Sequence, residues 1–558
     1  MINELFDRIE SEPLNPVWIS LAPRDQALAH ATEVAPNALL AGLTFAVKDN
    51  IDVAGIPTTA GCPAFAYTPS ETAPVVDCLQ AGGATLIGKT NMDQFATGLV
   101  GTRTPYGACS SVFGEEYISG GSSSGSAVAV AKGLVDFSLG TDTAGSGRVP
   151  AAFNGLIGVK PSRGLLSTRG VVPACRSLDC VSIFARSIDT ARRVFEAAAR
   201  FDPADPFSRQ PRTGERAAPW VAGPFRFGVP RAEHLEFFGD HEAAELYRCA
   251  IAQVKRVGGE AVEIDFGPFR DAAALLYSGP WVAERSAAIE PFLRDHADEM
   301  DPTVRKIISG AERYTAVDAF RAQYRLQELR RNAEEQWRKM DVLFLPTTGT
   351  IFRHSEISAE PIQPNTDLGY YTNFVNLMDL AALAVPAGFR SNGLPFGVSF
   401  IGQEFTDEAL LTLASRYLGE AAASTLPDCI PVAVVGAHLT GQPLNWQLTT
   451  RGARLLRACR TAPGYRLYAL RNTQPAKPGL VRAPEFEGPG IEVEVWAVPA
   501  AEFGGFVADV PPPLGIGNAT LEDGTSVKAF ICEQFAVDDA QDITALGGWR
   551  KHLELSKT

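Results

Sequence analysis

From Leu43 onward, short apolar runs at 43–47, 84–88, 134–140, 156–159 and 342–346 alternate with longer alanine-rich stretches of helical periodicity. The runs have strand length and the intervals helix length, so the pattern predicts an α/β domain with a mixed or parallel sheet. Residues 242–339 read as mostly helical, with a long charged run over 314–339, and Pro346-Thr347 ends the strand that follows. Apolar segments at 383–388 and 393–402, bounded by Gly and Pro, read as strands and turns. An amphipathic helix over 407–419 closes this unit, and periodicity is lost over 420–431. Beyond that point the runs at 431–439, 465–472, 491–499 and 527–534 are β-type and separated by Gly and Pro turns. We place a large domain at 1–425, a linker at 426–431, and a small strand-rich domain with a few helices at 432–558.

Composition narrows the class of partner. A formal charge of −14 repels nucleic acid, so an anionic small substrate needs a local arginine. No apolar stretch is long enough to span a bilayer, and the first residues lack a basic segment followed by an apolar one, so a cytoplasmic protein is expected. Nine scattered cysteines without a Cys-x-x-Cys pair predict free thiols in a reducing compartment. Cys175 and Cys180 have no histidine partners at metal-ligand spacing, so no metal is expected.

The chemistry concentrates between Ser119 and Ser146. Gly120-Gly121-Ser122-Ser123-Ser124-Gly125-Ser126 precedes an apolar helix-like run, and Gly140-Thr141-Asp142-Thr143-Ala144-Gly145-Ser146 follows it. Small residues let consecutive N–H groups form a concave nest for a developing oxyanion, which suits acyl transfer by serine. Alone, such a segment is as readily a glycine-rich turn. None of the seven histidines lies near a nucleophile elbow, whereas Lys48 ends an apolar strand, where burial would lower its pKa and make it a base. Residues 83–90 match the phosphate-loop pattern G-x-x-x-x-G-K-[ST], but 84–87 are themselves the apolar strand and 90–93 read as a helix start, so the match is accidental.

These segments resemble the amidase signature family. The resemblance implies a mixed β-sheet core covered by helices and a Ser-cisSer-Lys triad of Lys48, Ser122 after a cis Gly121-Ser122 peptide, and Ser146 as nucleophile. It implies an oxyanion hole from the N–H groups of Thr143, Ala144, Gly145 and Ser146, with Gly121 beside the substrate. Within the family, Tyr277 to Arg285 resembles the substrate-recognition stretch of the allophanate hydrolases. There Arg285 would grip a carboxylate and Tyr277, in a turn before a helix entered at Pro280, would bind the other end.

Residues 435–445 and 511–517 resemble the carboxy-terminal domain of the same enzymes, an α+β domain similar to γ-glutamyl cyclotransferase-like folds. His438 is its candidate proton donor or acceptor, and Arg471, Lys477 and Arg482 are candidate anion ligands. The implied reaction is hydrolysis of allophanate to ammonia and carbon dioxide without a cofactor, by a homodimer. No lysine stands in a biotin-carrier context, so a separate upstream enzyme, with which this chain would associate, must supply the substrate. Hydrolysis of another small or aryl amide, and a role in amide transfer or assembly, remain open.

Overall fold

The computed structural model describes residues 2–11, 16–35, 37–210, 218, 220, 223–420 and 429–556. The chain divides into two compact units, Met1–Ala422 and Ala423–Thr558. Among the described residues of the first, eleven strands form one mixed sheet. Their order across it is Trp18–Leu21, Thr85–Thr90, Thr44–Lys48, Phe137–Asp142, Cys180–Ala185, Ile157–Lys160, Ala381–Phe389, Pro395–Gly402, Val342–Pro346, Phe225–Pro230 and Gly259–Ile264. Thr44–Lys48 runs parallel to both neighbours, and Phe137–Asp142 runs antiparallel to Cys180–Ala185.

The central strands are apolar on both faces because helices cover both. Side chains alternate along a strand, so Phe45 and Val47 enter one core, where Phe45 stacks on Phe137 with centroids 5.2 Å apart. Ala46 enters the opposite core against Ala127, Val128, Ala129 and Val130 of the helix Ser124–Ala131. Lys48 shares the parity of Ala46, so it points to the face that carries this helix and the serine segment before it. The helix takes the chain away from the end of the sheet and Phe137–Asp142 brings it back. That excursion returns Ser146 to the neighbourhood of Ser122.

Sequence and structure differ locally. The mostly helical stretch contains the strand Gly259–Ile264, placed by parallel pairing with Phe225–Pro230. Tyr277 lies in the last turn of the helix Gly267–Ser278, not in a turn before a helix. Pro280 caps the next helix, Trp281–His296, which puts Arg285 in its second turn. Residues 90–93 start no α-helix; a short 3-10 turn, Gln94–Ala96, follows them, with Phe95 left-handed at φ 49°. Lys89 and Thr90 belong to the Thr85–Thr90 strand, so the phosphate-loop lettering has no loop to form.

The second unit has a five-stranded sheet in the order Arg454–Arg460, Glu492–Pro499, Cys429–Val434, Ser526–Cys532 and Leu514–Thr520. A three-stranded sheet of Pro478–Arg482, Tyr465–Ala469 and Gln541–Asp542 accompanies it, with helices Ala500–Ala508 and Trp549–Leu555. Residues 426–428 of the expected linker lie outside the described residues, and 429–431 already belong to a strand, since Cys429 pairs with Pro499. Val432, Val434, Val495, Trp496 and Phe530 are among the residues of its own core. The first unit is closed near its end by Glu420, whose carboxylate accepts the Ile188 N–H at 2.9 Å. A chain ending after Glu420 is therefore expected to give a folded circular dichroism spectrum and a single cooperative melting transition. Loss of that transition would show that the first core depends on the second.

Candidate active site

The Nζ of Lys48, at 0% exposure, lies 2.8 Å from the Ser122 Oγ and 2.8 Å from the Thr141 Oγ1. Ser122 Oγ lies 3.0 Å from Ser146 Oγ, which is 3.4 Å from the Gly98 carbonyl. The Gly121-Ser122 peptide is cis. The structure thus brings the three residues singled out in the sequence into one continuous line of hydrogen bonds. As the ammonium, Lys48 donates to both hydroxyls. As the free amine it accepts from Ser122, and the hydroxyl hydrogens rotate so that Ser146 donates to Ser122. Burial lowers the Lys48 pKa to about 7, against the attraction of Asp93, Asp179 and Asp142 and helped by Arg285. Both protonation states are then accessible near neutrality.

The loop bearing Ser146 is folded around a buried carboxylate. Asp142 takes a two-bond fork from Arg148, Nε and Nη2 each at 2.9 Å, with both side chains fully enclosed. It also accepts the N–H groups of Gly145 and Gly147 at 3.0 Å. Burial pushes its carboxyl pKa up, but Arg148 and these bonds outweigh burial and hold it below the usual range. This corrects the four-donor oxyanion hole: the Gly145 N–H is committed to Asp142. The N–H groups of Thr143, Ala144 and Ser146 have no acceptor among the described residues and remain for an oxyanion.

Two close approaches require glycine. An added Cβ at Gly140 would stand 2.7 Å from Ser123 Oγ, blocking the serine segment from the strand. At Gly145, with φ 133°, it would stand 2.5 Å from Thr372 Oγ1 and 2.7 Å from Thr372 Cβ.

Arg285 is 2% exposed, with Nη1 donating to Thr97 Oγ1 at 3.0 Å and Ala96 O at 3.3 Å. Nη2 donates to the Tyr277 hydroxyl at 3.3 Å, and the guanidinium carbon lies 5.2 Å from that ring's centroid. The positive charge is near enough to disfavour the Lys48 ammonium, so the clamp and the triad belong to one site. Asp179 carries no signal in the sequence. Burial raises its pKa to about 6, opposed by hydrogen bonds from the Thr143 hydroxyl and the N–H groups of Cys175 and Ala174. It steadies the nest from behind.

His438 lies in the second unit, beside a cavity of about 140 Å³ that Lys477 also lines. Its Nε2 is 2.8 Å from Gln447 Oε1, and its ring stacks on Phe530 at 4.8 Å. Burial lowers its pKa. Arg471 and Arg482 do not line this cavity; Arg471 faces Asp539 at 3.9 Å. Among the described residues no cluster of His, Cys, Asp or Glu is suited to a metal, and no helix is long and apolar enough to cross a membrane.

Residues 1–411 match the family model described as Amidase, and residues 430–554 that of the allophanate hydrolase C-terminal domain. Urea amidolyase of Saccharomyces cerevisiae is 44% identical over all of this chain, which spans 32% of that relative's length. A glutamyl-tRNA(Gln) amidotransferase component from Picosynechococcus sp. is 33% identical over 75% of this chain and 93% of its own. The solved structure of Kluyveromyces lactis allophanate hydrolase superposes with a TM-score of 0.74 at 42% identity, covering 99% of this chain and 96% of that one.

The nest geometry predicts that Gly145→Ala lowers turnover about 10²-fold, because its Cβ displaces the loop carrying Ser146. Thr372→Ala in the same chain should recover part of that loss. Unimpaired steady-state turnover in Gly145→Ala alone would contradict the placement of the loop.

Proposed function

Because this chain belongs to the amidase family, with residues 430–554 forming an allophanate hydrolase C-terminal domain, we propose that it hydrolyses allophanate, the carboxylated form of urea. The observation that carries this reading is the joining of a Ser-Ser-Lys line to a buried arginine with an unspent donor. Arg285 takes the substrate carboxylate and Tyr277 orients the ureido group. Ser146 Oγ attacks the terminal amide carbonyl while its proton passes through Ser122 to neutral Lys48. The N–H groups of Thr143, Ala144 and Ser146 receive the oxyanion. As the intermediate collapses, the C–N bond breaks and the proton returns through Ser122 to the leaving nitrogen, which departs as ammonia. Water, deprotonated by the same relay, then attacks the acyl-enzyme and releases carboxylated carbamate.

Loss of carbon dioxide from that product leaves carbamate, which breaks down to a second ammonia and carbon dioxide. We assign help with the first loss to the cavity beside His438, where Lys477 supplies positive charge for a small anion and His438 a ring nitrogen for proton transfer. Nine cysteines without a disulfide support a reducing compartment, the cytoplasm. Relatives named urea amidolyase support supply of allophanate by an enzyme that carboxylates urea, with which a homodimer of this chain would associate. Against an amidotransferase role, such relatives match 75% of this chain, and the segment 430–554 has its own family.

The test is ammonia release by the purified chain, without ATP, from allophanate beside biuret, urea and benzamide. A strong preference for allophanate is expected, and broad amide hydrolysis or no turnover would overturn the reading. Ser146→Ala should lower the rate more than about 10³-fold with an unchanged melting temperature. Near-wild-type turnover in that variant would remove Ser146 as nucleophile.

A further inference from the structure

The segment between Asp93 and Leu99 joins the two halves of the site. At one end the Asp93 N–H donates to Ser122 O at 3.1 Å; at the other the Gly121 N–H donates to Leu99 O at 2.8 Å. Between them Gly98 O faces Ser146 Oγ at 3.4 Å, and Ala96 O and Thr97 Oγ1 take the Nη1 hydrogens of Arg285. The segment is braced elsewhere. Phe95 N–H donates to Ala60 O at 2.9 Å, Thr97 O accepts from Arg103 at 2.9 Å, and Leu99 N–H donates to Asn365 Oδ1 at 2.8 Å. Phe95 and Ala96 are held in the left-handed region, φ 49° and 50°, which side chains rarely adopt unless surroundings impose it.

This bracing decides what Arg285 can offer a ligand. Nη1 is spent on the segment, and Tyr277 takes one Nη2 hydrogen. Nε is buried with no acceptor among the described residues. A buried guanidinium N–H without a partner is costly, so this donor points to a ligand that completes it. The Nε–Nη2 edge is therefore the side left for a carboxylate. The Thr97 hydroxyl donates its own hydrogen to Phe95 O at 3.1 Å, so its lone pair is fixed toward Nη1 and the guanidinium plane cannot swing that edge away.

Resting on the allophanate reading above, we propose that Thr97 is a positioning residue for specificity. It turns the Nε–Nη2 edge of Arg285 toward the substrate carboxylate, and through Gly98 the same segment sets the spacing between this clamp and Ser146.

The experiment compares the full chain with Thr97→Val, Thr97→Ser and Arg285→Gln, measuring ammonia release from allophanate and from biuret, in which a neutral amide replaces the carboxylate. Thr97→Val should raise KM for allophanate about tenfold, the loss of one charge-assisted hydrogen bond, with kcat within about twofold. Biuret kinetics should be unchanged, and Thr97→Ser should restore KM. The proposal is overturned if Thr97→Val leaves KM for allophanate unchanged while Arg285→Gln raises it. It is equally overturned if Thr97→Val slows both substrates alike, or if Thr97→Ser fails to rescue. If Arg285→Gln leaves the preference for allophanate over biuret unchanged, the substrate reading falls and takes this inference with it.

Discussion

A lysine amine with no access to water cannot be an ordinary surface charge, and the site is built around that constraint. Three carboxylates attract the Lys48 proton, which would fix it as an ammonium if any of them paired with it directly. Each is committed elsewhere. Asp142 is spent on Arg148 and two loop N–H groups, Asp93 on the N–H groups of Gly101 and Arg103, and Asp179 on Thr143 and the 174–175 backbone. What touches Lys48 instead is a pair of hydroxyls, Ser122 and Thr141, which satisfy either protonation state. The carboxylates therefore shape the backbone and leave the amine free to exchange a proton.

The same economy explains how a substrate clamp and a nucleophile keep their spacing without lying on one element. Arg285 comes from the helix Trp281–His296, Ser146 from the loop after Phe137–Asp142, and the Asp93–Leu99 segment touches both. Loop residues 174–177 add a second tie, since Ser177 N–H donates to Glu284, the neighbour of Arg285, and Asp179 holds Thr143 of the nest. A site of this kind tolerates little displacement, which is why glycine is demanded where Thr372 meets Gly145.

Much of this was legible in the sequence because it depends on local spacing. The apolar runs became strands, and the interval between Ser122 and Ser146 is one helix and one returning strand. Lys48 was legible as the last residue of an apolar strand, whose alternation aims it at the helix face. The rest depends on pairings distant in sequence. Nothing local tells that Asp179 would hold Thr143, 36 residues away, or that Asp142 would take the Gly145 N–H from the oxyanion nest. The left-handed Phe95 and Ala96 carry no glycine to announce them, and the surroundings of Tyr277 mislead because Gly279 and Pro280 separate two helices instead of opening a turn around it.

The account stands on Lys48 acting as the base in its neutral form, so the pH dependence of kcat/KM is its most direct test. The folded-state pKa is lowered to about 7 by burial. The relay is therefore closed at acid pH, where Lys48 is an ammonium, and opens as pH rises through about 7. For ammonia release from allophanate, kcat/KM should fall about tenfold per pH unit on the acid side, with a single-proton midpoint near 7. A rate level from about pH 9 down to about pH 5, or the same acid limb surviving in Lys48→Met, would contradict the assignment of Lys48 as the base.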